Sequence, residues 1–261
     1  MMYHYFSATH TGRVRTNNED SVVFDEATHI AVLADGMGGY NAGEIASGMA
    51  TAFIQSELSR WLSEAGELAT SNEVRLAMEI CANNANRSIL GAAKTNPSYA
   101  GMGTTLVMGI FRPESVVVGH IGDSRCYRMR DGIFEQITKD HSLLQEQIDA
   151  GLVTLEDAAH SPIKNLVTRA LGVEEVALLE VNEHSVQKGD IFLMCSDGLS
   201  DMVEDAAIAK IIAEGSGPEQ IAQELVNAAN KNGGRDNISV LLVQAVDLTE
   251  KRSLFARLLG K

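Results

Sequence analysis

Short stretches rich in Val, Ile, Phe and Tyr recur near residues 3–8, 21–25, 29–34, 104–111, 115–121, 125–130, 133–137, 176–182, 190–195 and 238–246. Their apolar positions alternate or form brief unbroken runs, the pattern of β-strands. Turns such as Arg130-Asp131-Gly132 join several of them and favour antiparallel pairing. Elsewhere the period lengthens. From 42 to 64, Ile45, Met49, Ala52, Phe53 and Trp61 recur on one side, and from 72 to 93, Val74, Met78, Cys81, Ala85 and Ile89 repeat every three or four residues. Two long helices are predicted there. A second helical pair is predicted near 203–214 and 218–231, where Pro218 suits a first turn and Ile221 and Leu225 stand at i, i+4. The order strands, two helices, strands, two helices, strand predicts an α+β fold. Its natural form is a four-layer α-β-β-α sandwich, two antiparallel sheets packed on each other and flanked by helix pairs.

No linker divides residues 1–247, which read as a single domain. Residues 140–172 are the irregular part: a short helix capped near Asp140, then a stretch of mixed polarity (154–165) that reads as a surface flap. At 248–261, Leu254, Phe255, Leu258 and Leu259 alternate with Lys251, Arg252, Arg257 and Lys261. This basic amphipathic tail is expected to pack on its own domain, the alternative being a partner or a membrane surface.

Composition narrows the function classes. The 261 residues are 45% hydrophobic, enough for a sizeable core. A net charge of -14 repels phosphate backbones, so no nucleic acid partner is expected. Three cysteines (Cys81, Cys126, Cys195) without C-x-x-C spacing fit a reducing cytoplasm. The first ten residues lack a signal-peptide pattern, and no run approaches the roughly 18 apolar residues of a membrane span. A cytoplasmic protein, with nothing that demands more than a monomer, is the expectation.

The chemistry begins at "AVLADGMGG" (31–39), where an apolar strand delivers Asp35 to its own end. Asp-Gly between two strands would be a hairpin turn, but the pattern that follows is helical. The event recurs at "DIFLMCSDGLSD" (190–201), where Asp197 and Gly198 close another apolar run. Glu19 and Asp20 stand just before one strand, and Asp236 and Asn237 just before the last. In an antiparallel sheet, strand ends lie beside strand starts, so Asp20, Asp35, Asp197 and Asp236 can converge on one edge. Four carboxylates repel unless a cation joins them. Oxygen ligands select hard divalent ions, Mg²⁺ or Mn²⁺, while the seven histidines show no zinc spacing. Gly36 lets the backbone approach closely enough for its carbonyl to act as a ligand. Two such ions roughly 3.5 to 4 Å apart can activate water and polarise a phosphoryl oxygen. Arg15, five residues before Asp20, offers the bidentate donors a phosphate needs.

The ordered set "GRVRTNNED" (12–20), "LADGMGG" (33–39), "GTTL" (103–106), "HIGDSRCYR" (120–128), "ITKDHS" (137–142), "CSDGLSD" (195–201) and "GGRDN" (233–237) resembles the metal-dependent protein phosphatase family of type 2C, in its compact bacterial form. The resemblance spans about residues 5–246. It implies a β-sandwich flanked by helix pairs and hydrolysis of phosphoserine and phosphothreonine in proteins, with two Mn²⁺ or Mg²⁺ ions and, in bacterial members, a third. It implies that Asp35 bridges two metals, that Gly36 ligates through its carbonyl, and that Asp20, Asp197 and Asp236 complete the set, with Glu19 and Asn237 close by. Asp123 matches the acid that helps to bind the third metal, Arg15 the residue that holds the substrate phosphate, and 140–172 the flap beside the site. The implied partners are phosphoproteins, with a Ser/Thr kinase of the bacterial cell and its targets as the opposed system. Where many eukaryotic members carry a histidine proposed as general acid, this chain has Met37. The proton for the leaving oxygen is then expected from water, another side chain or solvent.

Rival readings remain to be tested. "CANNANR" (81–87) satisfies C-x5-R, yet it lies in a helical pattern without the glycine-rich, strand-fed loop a thiol phosphatase needs. No Walker loop is present, which leaves a kinase or ATPase without a phosphate cradle. A catalytically inactive, phosphatase-like sensor or docking module would be expected to lack some of the acids or the arginine, and here all are present. Asp140 to Ser142 are expected to cap the following helix, and Arg169 to be a flap contact or an ordinary surface residue.

Overall fold

The computed structural model describes residues 1–39, 42–66, 69–154, 157 and 166–247. The amphipathic tail and most of the 154–165 stretch lie outside the described residues. Two sheets form the centre, and every pairing in them is antiparallel. The first is ordered β1 (Met2–His10), β11 (Ile238–Val246), β10 (Ile191–Cys195), β7 (Arg125–Arg130), β8 (Ile133–Gln136). The second is ordered β2 (Asp20–Asp25), β3 (Ile30–Met37), β5 (Leu106–Phe111), β6 (Ser115–Ile121), β9 (Glu180–Ser185), with β4 (Gly103–Thr104) paired to β3.

Strands β3, β5, β6, β10 and β11 read as unbroken apolar runs because both of their faces are buried. In β3, Ala31 and Leu33 face the other sheet while Ile30, Val32 and Ala34 face helices α1 (Ala42–Ala65) and α2 (Ser71–Thr95). In β11, Leu241 and Val243 face inward while Val240 and Leu242 meet α5 (Asp205–Glu214) and α6 (Pro218–Lys231). Three stacked apolar cores therefore make the four-layer α-β-β-α sandwich that the pattern predicted. Two short helices, α3 (Leu143–Asp149) and α4 (Asp197–Ser200), sit at the loop end.

Four local expectations are corrected. In α1 the buried stripe is Ala46, Ala50, Ile54 and Leu58; Ile45, Met49, Phe53 and Trp61 pack only along its flank, and Ala52 is exposed. Small residues face the sheet because the helix lies close on β2 and β3: Ser47 Oγ donates to the Glu19 carbonyl at 2.5 Å, and Thr51 Oγ1 meets Ser21 Oγ at 2.7 Å. Strand β3 does not stop at Ala34 but runs through Asp35 and Gly36 to Met37, where β4 pairs with it. The strand expected over 176–182 begins at Glu180, where its ladder with β6 ends at His120; ahead of it Asn83 of α2 takes both the N–H and the C=O of Ala177. The cap of α3 is Ser142, whose Oγ accepts from the Gln145 N–H, while Asp140 is committed to Arg125. By contrast, the α2 stripe from Val74 to Ile89 is buried as predicted.

Candidate active site and metal centre

Both sheets place acids at the same end. Asp20 and Asp35 are direct partners across β2 and β3. Asp197 opens α4 just past β10, and Asp236 stands just before β11, the strand with which β10 pairs. Together with Arg15, Glu19, Gly36, Met37, Thr105, Asp123 and Val167, the carboxylates of Asp35, Asp197 and Asp236 line a cleft of about 370 Å³. Asp20 lies beneath, with Oδ2 accepting from Ser196 Oγ at 2.9 Å. Its Oδ1 is buried with no hydrogen-bond partner among the described residues.

Such a set is electrostatically costly. Burial pushes the Asp35 carboxyl well above its ordinary range, and the charges of Asp20, Asp197, Asp123 and Asp236 push it further. Asp197 is raised in the same way, by burial first and then by Asp123, Asp201 and Asp236. Burial lifts Asp20 to about 6 against the pull of the Ser239 and Ser196 hydroxyls. Asp123 also rises to about 6, through burial and then Asp140. An orphaned carboxylate oxygen among all-oxygen donors that repel one another is the donor chemistry of hard divalent cations. The residues present fit such ions.

Backbone geometry supports the cleft. The Gly36 N–H donates to the Glu19 carbonyl at 3.1 Å, and a Cβ at Gly36 would overlap the Gly43 carbonyl and stand 2.6 Å from that of Glu19. Only glycine lets β3 and α1 approach this closely. Asn237 lines no part of the cleft. Its Oδ1 accepts from the Glu19 N–H at 2.8 Å, and its Nδ2 donates to the carbonyls of Thr11 and Asn17, so it ties the loop after β1 to β11. Arg15 stands half-exposed at the mouth, with one Nη 2.7 Å from Asp236 Oδ2.

The structure adds residues that the sequence did not single out. Thr105 Oγ1 accepts from the Asp35 N–H at 3.0 Å and meets Ser124 Oγ at 2.7 Å, which joins Asp35 to the turn carrying Asp123. The motif "GTTL" is the only sequence signal for that link. Asp201, one helical turn beyond Asp197, adds its charge to both Asp197 and Asp123. Arg169 is exposed and acts electrostatically on His141. The thiol alternative is overturned: Cys81 sits within α2, and burial pushes its thiol up to about 12. Cys126 and Cys195 are buried in strands and shifted in the same direction.

A four-layer sandwich with a cleft of buried carboxylates at one end is an arrangement suited to divalent cations, and the comparisons with known proteins give its class. The sequence profile of the family described as Protein phosphatase 2C matches residues 9–242, and the chain belongs to that family. It is 37% identical over 246 residues to the serine/threonine phosphatase stp of Listeria monocytogenes, covering 93% of this chain and 96% of that protein. The crystal structure of the Mycobacterium tuberculosis serine/threonine phosphatase PstP/Ppp superposes with a TM-score of 0.85 at 34% identity, over 95% of this chain and 100% of that one. The catalytic domain of the phosphatase PstP in complex with two manganese ions gives a TM-score of 0.81 at 34% identity, over 94% and 99% of the respective chains.

Proposed function

We propose that this chain is a metal-dependent protein phosphatase acting on phosphoserine and phosphothreonine. The observation that carries the reading is the convergence of Asp20, Asp35, Asp123, Asp197 and Asp236 at one end of the sandwich, in a member of the 2C family. Asp20, Asp35, Asp197, Asp236 and the Gly36 carbonyl would hold two Mn²⁺ or Mg²⁺ ions, and Asp123 would serve a third. When bound, such ions lower the pKa of water and polarise a phosphoryl oxygen. Arg15 binds the substrate phosphate: its guanidinium spends one Nη on Asp236 and keeps further donors at the cleft mouth. Met37 has no proton to give, so the leaving oxygen is protonated from elsewhere. The intact set of acids and Arg15 speaks against an inactive docking module.

The finer reading is of one catalytic unit over residues 1–247 with 140–172 as its flap. It acts as a cytoplasmic monomer on phosphoproteins phosphorylated by a Ser/Thr kinase, that kinase included. Its support is that a single chain supplies every acid of the cleft, and that among the described residues no helix is long and apolar enough to cross a membrane.

The test is hydrolysis of p-nitrophenyl phosphate and of a phosphothreonine peptide with Mn²⁺, with EDTA, and by Asp35→Asn. Wild type should turn over both substrates only with added metal, and the variant should lose about a hundredfold or more. Full activity in excess EDTA, or a trapped phosphoenzyme, overturns the reading.

A further inference from the structure

Outside the carboxylate cleft, His120, His141 and Glu180 bring potential ligand atoms within 4.8 Å of one another. Their hydrogen bonds argue against a metal. His120 Nε2 lies 2.7 Å from the Lys139 carbonyl and donates to it. The Gly122 N–H donates to His141 Nδ1 at 3.2 Å, which leaves the His141 proton on Nε2, facing the Glu180 carboxylate at 3.4 Å. An ion at His141 Nε2 would drive that proton to Nδ1, against the Gly122 N–H. The imidazole is arranged to hold protein.

What it holds is the turn bearing Asp123. The His141 N–H also donates to the Gly122 carbonyl at 2.9 Å, so His141 grips Gly122 in both directions. Gly122 has φ +106°, and a Cβ there would stand 2.7 Å from the Thr105 side chain, so surrounding contacts must hold the peptide in place. On the other flank of the turn, Asp140 accepts from Arg125 Nε at 3.0 Å and from Nη2 at 2.7 Å. The adjacent pair Asp140–His141 thus clasps both sides of Asp123–Ser124. The His141 carbonyl accepts from the Thr168 N–H at 2.8 Å, and Ser142 bridges to Val167, which lines the cleft. His141 is buried and stacked on His120 at 4.7 Å with an 8° interplanar angle, which restricts its ring.

We propose that His141 is a positioning residue. Through Nδ1 and its own backbone, it locks the Asp123 turn to the cleft wall at Val167–Thr168, so that third-ion acid and wall move as one unit. The inference rests on the reading of Asp123 given above, and its readouts are separate from turnover. Asn at 141 places Oδ1 where Nδ1 stands and keeps the acceptor. Gln reaches toward Glu180 and leaves the Gly122 N–H without a partner.

The experiment compares wild type, His141→Asn and His141→Gln by amide hydrogen exchange at Gly122 and Thr168 and by bound Mn²⁺ counted from the spin-resonance signal of the free ion. Peptide kcat and KM are followed alongside. His141→Gln should exchange about tenfold faster at Gly122 and need about tenfold more Mn²⁺ for its weakest site, whereas His141→Asn stays within about threefold of wild type. Equal loss in both variants, or no change in either, overturns the proposal. Should His141→Gln fail to fold, ¹⁵N spectra of wild-type imidazoles decide: a proton on Nε2 supports it, a proton on Nδ1 overturns it. Inactive wild type that still shows these exchange and Mn²⁺ differences would sink the phosphatase reading alone.

Discussion

Thr105 grips the backbone of Asp35 in both directions. Its Oγ1 accepts from the Asp35 N–H at 3.0 Å, and its own N–H donates to the Asp35 carbonyl at 2.9 Å. The Thr104 hydroxyl adds a second bond to that carbonyl at 2.8 Å. Because Thr105 is buried, the isosteric change Thr105→Val leaves the Asp35 N–H without a partner, a loss of about 1 to 3 kcal/mol. Urea unfolding should report that loss, and kcat on p-nitrophenyl phosphate should fall about tenfold, while Thr105→Ser stays near wild type in both. Unchanged kcat in Thr105→Val would show that Asp35 holds its place without this bond. The acids themselves were legible in the sequence, since a carboxylate at the end of an apolar run is an anomaly. A threonine in a strand is ordinary, and its role is visible only once the register places it beside Asp35. Asn237 stands close by, as its position next to Asp236 suggested, but what its amide holds, the Glu19 N–H and the Thr11 and Asn17 carbonyls, is visible only in the structure.

At the scale of elements, the periodicity located nearly every strand and helix but misread which side of α1 carries the contact. Counting large apolar residues selects Ile45, Met49, Phe53 and Trp61, whereas the sheet meets Ala46 and Ala50, because Ser47 bonds to Glu19 just before β2 and Thr51 to Ser21 within it, which brings the helix close. Hydrophobicity measures area, and close approach requires its absence. Ala46→Leu should therefore overpack the α1–β3 contact and cost about 1 to 3 kcal/mol in urea unfolding. Ala52→Leu, on the exposed side, should stay within about 0.5 kcal/mol of wild type. Equal costs would mean that the helix can slide away from the sheet. The extension of β3 to Met37 escaped the pattern for a related reason: Asp35, Gly36 and Met37 break the apolar run, yet Thr105 holds the Asp35 backbone, the Glu19 carbonyl takes the Gly36 N–H, and β4 pairs with Gly36 and Met37.

For the molecule as a whole, the sandwich stabilises a cluster that opposes it. A net charge of -14 already disfavours the compact state, and the cleft concentrates carboxylates where burial raises them. Asp35 sits well above its unfolded value of about 3.9. It therefore costs nothing below that pH, and the cost to the folded chain accumulates as pH rises from there to its folded pKa. Neutralising it removes this cost and the charge it presses on the other cleft acids, while titrating groups outside the cluster, among them His141, whose burial lowers it to about 4, are common to both chains. In excess EDTA at pH 7.5, Asp35→Asn should melt above wild type, and the gap should close as pH falls toward 4. Saturating Mn²⁺ should reverse the order at pH 7.5, because the ions stabilise only a chain that can bind them, by RT ln(1 + [L]/Kd). A variant that melts below wild type in EDTA at pH 7.5 would show that Asp35 supports the fold directly. The charge cluster would then be a structural feature first and a cation site second.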